Sequence, residues 1–220
     1  LKLWDLDNGN LLRSLEEHEA PVNAVAVFAN GNRAISASDD NTLKLWDLNN
    51  RHPLRSLEGH QAAVTALTIF ADGKRAISAS RDNTLKLWDL DNENHLRSLE
   101  GHTDWVNAVA VFANGKRAIS ASNDHTLKLW DLDNGNLLRS LEGHAYPVSA
   151  VAVFANGKRA ISASWDHTLK LWDLDTGNLL RSLDGHAGWV NAVAVFADGK
   201  RAISASWDHT LKLWDLDTGN

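Results

Sequence analysis

Histidine, serine and aspartate recur along this 220-residue chain at fixed separations. The sets are His60, Ser78 and Asp82; His102, Ser120 and Asp124; His144, Ser162 and Asp166; and His186, Ser204 and Asp208. These are the residue types of a nucleophile, a general base and its orienting acid, so the arrangement invites an acyl-transfer reading. A catalytic set is needed once, however, and this one appears in copy after copy. Nothing else supports an enzyme: there is no phosphate-cradling glycine loop, no nucleophile elbow and no metal-ligand cluster. No catalytic residue, metal or cofactor is therefore expected.

The elements that carry these residues repeat with them. LKLWDL begins at Leu1, Leu43, Leu85, Leu127, Leu169 and Leu211, a period of 42 residues. A period of that length points to a repeat architecture before local propensities are weighed. In the copy starting at Gly101, the alternating and β-branched stretch VNAVAVFA predicts a strand. Asn114-Gly115 then predicts a tight turn with φ > 0 and an antiparallel return. RAISAS, with small residues on both faces, predicts a second strand, TLKLWDL a third, and LLRSLEGH a short fourth after DNGN. Four short strands cannot bury their faces alone, but stacked as sheets about an axis they can. The predicted fold is an all-β propeller of four-stranded antiparallel blades. Helices are excluded because Gly, Asn and Asp interrupt the chain too often.

The chain resembles the WD-repeat family of β-propellers. Gly-His stands at Gly59-His60, Gly101-His102, Gly143-His144 and Gly185-His186, and Trp-Asp closes every third strand. The resemblance implies that the histidine, a second-strand serine, the turn aspartate and the tryptophan form a buried hydrogen-bonded network. The matching residues are His60, Ser78 (or Ser80), Asp82 and Trp88, then His102, Ser120, Asp124 and Trp130. They continue with His144, Ser162, Asp166 and Trp172, and with His186, Ser204, Asp208 and Trp214. On this reading the sets hold the fold and perform no chemistry. Two departures stand out. Glu17 replaces the glycine before His18, which predicts a first loop that is looser or differently placed. The turns at 49–53 and 91–95 lack the usual glycine, and Pro53 suits an edge strand.

Family blades take their fourth strand from the next repeat. The chain is then one propeller domain or a segment of one, with strands three and four of a first blade at 1–16. Full blades follow at 17–58, 59–100, 101–142 and 143–184, and 185–220 gives three strands of a last blade. A five-bladed ring would leave one third strand over, so a segment of a larger ring, seven-bladed as is usual in the family, is expected. Five blades, or closure by association of chains, stays open. The absence of Met and the start inside a repeat also read as a piece of something longer.

The copies differ at few places. The residue before the turn aspartate is Asp39, Arg81, Asn123, Trp165 and Trp207 in turn. Three residues after the histidine stand Pro21, Ala63, Trp105, Pro147 and Trp189, with Tyr146 beside one of them. Two further on come Asn23, Thr65, Asn107, Ser149 and Asn191. By the resemblance both loops lie at one end of the propeller, and Trp and Arg are common interface anchors. The expected partner-binding set is Asp39, Arg81, Asn123, Trp165, Trp207, Trp105, Tyr146, Trp189, Asn107 and Asn191. His125, His167 and His209 are expected as turn residues, because equivalent positions on separate blades do not converge on one ion.

Composition narrows the partner. The net charge of -6 argues against nucleic acid or an anionic membrane held mainly by charge. There is no Cys, no long apolar run and no signal pattern, and a cytoplasmic protein is expected. The leading reading is a non-enzymatic scaffold or sensor domain that binds a protein or peptide. A lectin-like binder with repeated Trp sites and an engineered repeat without a ligand are the alternatives. Segments 158–178 and 200–220 are identical, which fits recent duplication or deliberate construction.

Overall fold

A computed structural model describes residues 1–50, 52–92 and 95–219. Arg51, Glu93 and Asn94, within the two turns that lack a glycine, lie outside the described residues, as does Asn220. Among the described residues every helix or strand is a strand. They fall into two compact units, 1–98 and 99–220.

In the first unit β1 (Lys2–Trp4) pairs with β2 (Leu11–Ser14). A four-stranded sheet follows: β3 (Val22–Val27), β4 (Arg33–Ser38), β5 (Leu43–Asp47) and β6 (Pro53–Leu57). A second comprises β7 (Val64–Ile69), β8 (Arg75–Ser80), β9 (Leu85–Asp89) and β10 (His95–Leu99), whose last residue belongs to the other unit. The second unit holds β11 (Val106–Phe112), β12 (Arg117–Ser122), β13 (Leu127–Asp131) and β14 (Leu137–Leu141). Next come β15 (Val148–Val153), β16 (Arg159–Ser164), β17 (Thr168–Asp173) and β18 (Leu179–Asp184). The three-stranded sheet β19 (Val190–Val195), β20 (Arg201–Ser206) and β21 (Leu211–Asp215) closes the series. Every sheet runs in chain order, so neighbours in sequence are neighbours in space. The architecture is all-β, with four-stranded antiparallel blades of propeller type.

The register is set by the pattern. RAISAS is flanked on both sides within its sheet, with Ala118 opposite Trp130 and Ile119 opposite Leu129. Pro53 falls on the edge strand β6, where its missing N–H costs no ladder bond. The first hairpin differs from the tight two-residue turn expected of Asn-Gly. The Phe28 amide donates to the Arg33 carbonyl at 2.9 Å, which closes a four-residue loop. Of those loop residues Gly31 takes positive φ, at 70°. In the third copy Ala113, Asn114 and Gly115 all do so.

Each core lies where one sheet packs on the next. In the first unit Phe28, Ile35, Leu43, Leu45 and Leu57 meet Val64, Ala76, Trp88 and Leu90. In the second, Phe112, Ile119 and Leu129 meet Val148, Trp172 and Leu174, and Phe154, Ile161 and Leu171 meet Val190, Trp214 and Leu216. Each large side chain buried in this way contributes about 1.5–3 kcal/mol. Leu171 is 3% exposed, yet its counterpart Leu213 in the three-stranded sheet is 58% exposed. The contact that covers such a leucine is made by the following sheet.

Candidate functional site

Each network is built within one repeat. In the copy at 143–184 the Trp172 indole N–H donates to Ser162 Oγ at 2.8 Å. Ser162 Oγ lies 2.7 Å from His144 Nε2, and His144 Nδ1 lies 2.7 Å from Asp166 Oδ2. Donor and acceptor counting assigns the protons. Tryptophan can only donate, and an ionised Asp166 can only accept, so His144 is neutral with its proton on Nδ1. Of the two acceptors within reach of the Ser162 hydroxyl, Nε2 at 2.7 Å is closer than the Lys170 carbonyl at 3.4 Å, and His144, held below its usual value, leaves Nε2 free to accept. The other copies repeat this geometry at His60, Ser78, Asp82 and Trp88 and at His102, Ser120, Asp124 and Trp130. His186, Ser204, Asp208 and Trp214 complete the series. Ser78, not Ser80, holds the network position. Ser80 Oγ instead donates to the Ala62 carbonyl at 2.9 Å and so ties the loop after His60 to the turn before Asp82.

The aspartates are the most strongly held groups. Burial pushes the Asp82 carboxyl up, but hydrogen bonds from His60, Thr84 and the Gln61 amide outweigh it and hold it well below the ordinary range. Asp124 and Asp166 are lowered in the same way, with bonds from their histidine and threonine overcoming burial. For Asp208 the Thr210 hydroxyl is the main cause of lowering. Burial holds His144 below its usual value despite Asp166, which agrees with the neutral ring assigned above. No buried polar side-chain atom among the described residues lacks a partner.

The first loop is not loosened by Glu17. His18 Nδ1 and Nε2 bond Asp40 at 2.6 Å and Ser36 at 2.7 Å, and the Trp46 indole donates to Ser36 at 2.8 Å. Asp40 is brought down to about 2: burial raises it, and bonds from Thr42 and His18 more than offset that. The Glu17 carboxylate reaches outward to His52 Nδ1 at 2.7 Å. The first repeat therefore carries a fifth complete network.

The variable positions are brought together in pairs. In every repeat the amide before the turn aspartate donates to the carbonyl three residues after the histidine. The pairs are Asp39 to Pro21, Arg81 to Ala63, Asn123 to Trp105, Trp165 to Pro147 and Trp207 to Trp189, at 2.8–3.0 Å. The backbone bond is constant while the side chains change.

The third variable position has a different task. Register shifts between Val106 and Ala108 and at the equivalent places put a β-bulge there, and a bulge re-aims its side chain. Asn107, expected at the binding surface, is half-buried, and its amide nitrogen donates to Asn123 Oδ1 at 2.8 Å and the Val148 carbonyl at 2.9 Å. Asn23 makes the same pair of bonds, to Asp39 and Val64. Ser149 donates to the Ala163 carbonyl and also contacts the Val190 carbonyl. These side chains staple successive sheets together. Asn191, the last of the series, is exposed.

Four of the ten tryptophans lie outside LKLWDL, and all four are in the second unit. Trp165 and Trp189 stack with ring centroids 4.7 Å apart and planes within 14°. Trp189 also meets Trp207, at 4.9 Å and 38°. The result is a run of three rings drawn from two successive repeats, with Trp165 half-buried, Trp189 39% exposed and Trp207 63% exposed. Each such contact adds about 0.5–1.5 kcal/mol beyond burial. In the same loop Gly188 lies close to the turn of its own repeat, since a Cβ there would stand 2.9 Å from the Asp208 backbone nitrogen. Other repeats carry Ala, Asp or Tyr at that position. Tyr146 leans on His125, with centroids 6.3 Å apart, and Trp105 stands exposed in the first repeat of the unit. Asp39 and Arg81 occupy the corresponding places in the first unit.

His125, His167 and His209 adopt φ near 70° in the turns after the aspartates. No group of His, Cys, Asp or Glu among the described residues could hold a metal ion, and no helix is long and apolar enough to cross a membrane. A concavity of about 570 Å³ beside β2, lined by Arg13, Glu17 and His52, contains no network residue.

No curated protein matches the chain significantly. The family model described as WD domain, G-beta repeat matches residues 9–47, 51–89, 93–131, 135–173 and 177–215. Its five matches leave only short stretches uncovered, each contains one Trp-Asp strand end, and the chain belongs to the WD40-repeat family.

Proposed function

We propose that this chain is a non-enzymatic platform for a protein or peptide partner, engaged by the variable loops of residues 99–220. WD40 repeats generally mediate protein–protein interaction. The observation that carries the reading for this chain is the run Trp165, Trp189 and Trp207, a large aromatic surface left in solvent and fixed in place by backbone bonds. Ordering it before binding lowers the entropic cost of association, and tryptophan is a frequent hot-spot residue. A catalytic role for the His-Ser-Asp sets is disfavoured: each serine is buried and its hydroxyl already serves both Trp and His.

The test is affinity capture by the intact chain compared with Trp189→Ala and Trp207→Ala, after checking that both variants unfold at the wild-type temperature. Proteins retained by the wild type should be lost from both variants. An unchanged set of captured proteins would rule out this surface. A glycan array should be blank, because the stacked rings do not offer the repeated, equivalent sites a lectin of this design needs.

A further inference from the structure

We infer that the partner segment is basic and carries arginine, with a guanidinium stacked on the open ring of Trp207; this rests on the interaction reading above and adds the chemistry of the ligand. Two independent features support it. The first is the ring run itself. Trp189 touches both of its neighbours, whereas Trp207 stands at the end of the run and is the most exposed of the three. A planar guanidinium extends such a stack as a fourth layer, since it is flat, weakly hydrated and drawn to the negative face of an indole.

The second feature is charge. The loops that carry the variable positions in this unit, residues 100–106, 122–126, 142–148, 164–168, 184–190 and 206–210, contain no lysine and no arginine. They contain the network aspartates, which their hydrogen bonds keep ionised, and the exposed acids Asp104, Glu142 and Asp184. Most cations of the unit are elsewhere; Lys128, Lys170 and Lys212 stand on the third strands two residues past these turns, and Lys128 and Lys170 donate to Ser140 and Ser182. Lys116, Arg117, Lys158, Arg159, Lys200 and Arg201 sit in or beside the hairpins at the far end of each first strand. An aromatic end with a one-sided negative field attracts cationic segments and repels acidic ones. An apolar partner would satisfy the rings but make no use of the charge.

The experiment titrates the full chain by calorimetry with a short Gly-Ser peptide carrying two arginines. The same peptide with lysines, glutamates or leucines in their place serves for comparison. The arginine peptide should bind saturably, about fivefold tighter than the lysine peptide, and the glutamate peptide should not bind. Trp207→Ala should weaken the arginine peptide by about five- to tenfold, Trp207→Phe should weaken it less, and added salt should weaken it further. An arginine peptide that binds no better than the unsubstituted Gly-Ser parent, or whose binding ignores Trp207→Ala, overturns the inference. A leucine peptide that binds tighter and is lost in Trp207→Ala also overturns it, while leaving the interaction platform standing. If neither tryptophan variant changes peptide binding or protein capture, both readings fall together.

Discussion

Replacing Ser162 by alanine removes one oxygen and leaves two buried groups without a partner. The Trp172 N–H loses its acceptor at 2.8 Å and His144 Nε2 loses its donor at 2.7 Å. Ser162 is fully buried and Trp172 nearly so, which gives water little access to replace the hydroxyl. Each orphaned buried group costs about 1–3 kcal/mol, and some repacking is expected, so the loss should be about 2–4 kcal/mol. In a chain of this size that corresponds to a fall in Tm of about 5–15 °C. Urea unfolding followed by tryptophan fluorescence is the assay, with thermal melts as a second readout. The control is Ser182→Ala on the edge strand β18. Its hydroxyl accepts from Lys170 Nζ at 3.1 Å and is exposed, so its removal should stay within about 0.5 kcal/mol. If Ser162→Ala proved no worse than Ser182→Ala, the Ser162 hydroxyl would not be the buried link between Trp172 and His144.

Two further outcomes follow from the same geometry. Gly177→Ala should cost about 2 kcal/mol, against about 1 kcal/mol for Gly9→Ala. Both glycines have positive φ, but only at Gly177 would the Cβ stand 2.2 Å from Arg139 Cδ, while Gly9 has nothing within 4 Å. Adding Arg139→Ala to Gly177→Ala should recover the excess, and a purely additive double mutant in urea unfolding would contradict the clash. The urea midpoint should also fall with pH in two stages. His144 is held below its ordinary value, so on acidification the unfolded chain takes up that proton first and stability drops below about pH 6.5. The network aspartates, held low by their bonds, withhold stability more steeply below about pH 4, as the unfolded carboxyls protonate before the folded ones. Equal midpoints at pH 7 and pH 3 would refute both assignments.

The shared part of the repeat was legible in the sequence because its members lie in one copy at fixed spacing. A strand alternates its side chains and a hairpin returns them, so His144, Ser162, Asp166 and Trp172 converge whenever the hairpins form. The choice between Ser78 and Ser80 was not legible, since both face the same way on β8, and only the position of the loop after His60 separates their tasks. Asn107 was misplaced for a different reason. Spacing gives no sign of the bulge that turns its amide toward Val148 of the next sheet. The tryptophan stack was legible only as a cluster of residue types. Trp165 meets Trp189 across a sheet-to-sheet junction, a contact that spacing within one repeat does not show.

The same facts explain why this scaffold can vary its surface without loss of fold. Every network closes within its own repeat, so none depends on the side chain before the turn aspartate. At that position Asp39, Arg81, Asn123, Trp165 and Trp207 all donate the same backbone bond, within 2.8–3.0 Å. The loop is pinned again by the second serine, as when Ser206 donates to the Gly188 carbonyl at 3.0 Å. Side chains at the tip are free of the His-Ser-Asp-Trp network, although Asn123 and Asp39 still accept from Asn107 and Asn23. A change from Asn123 to Trp165 alters what the surface can hold and removes the acceptor that Asn107 uses, while the His-Ser-Asp-Trp bonds beneath it stay the same.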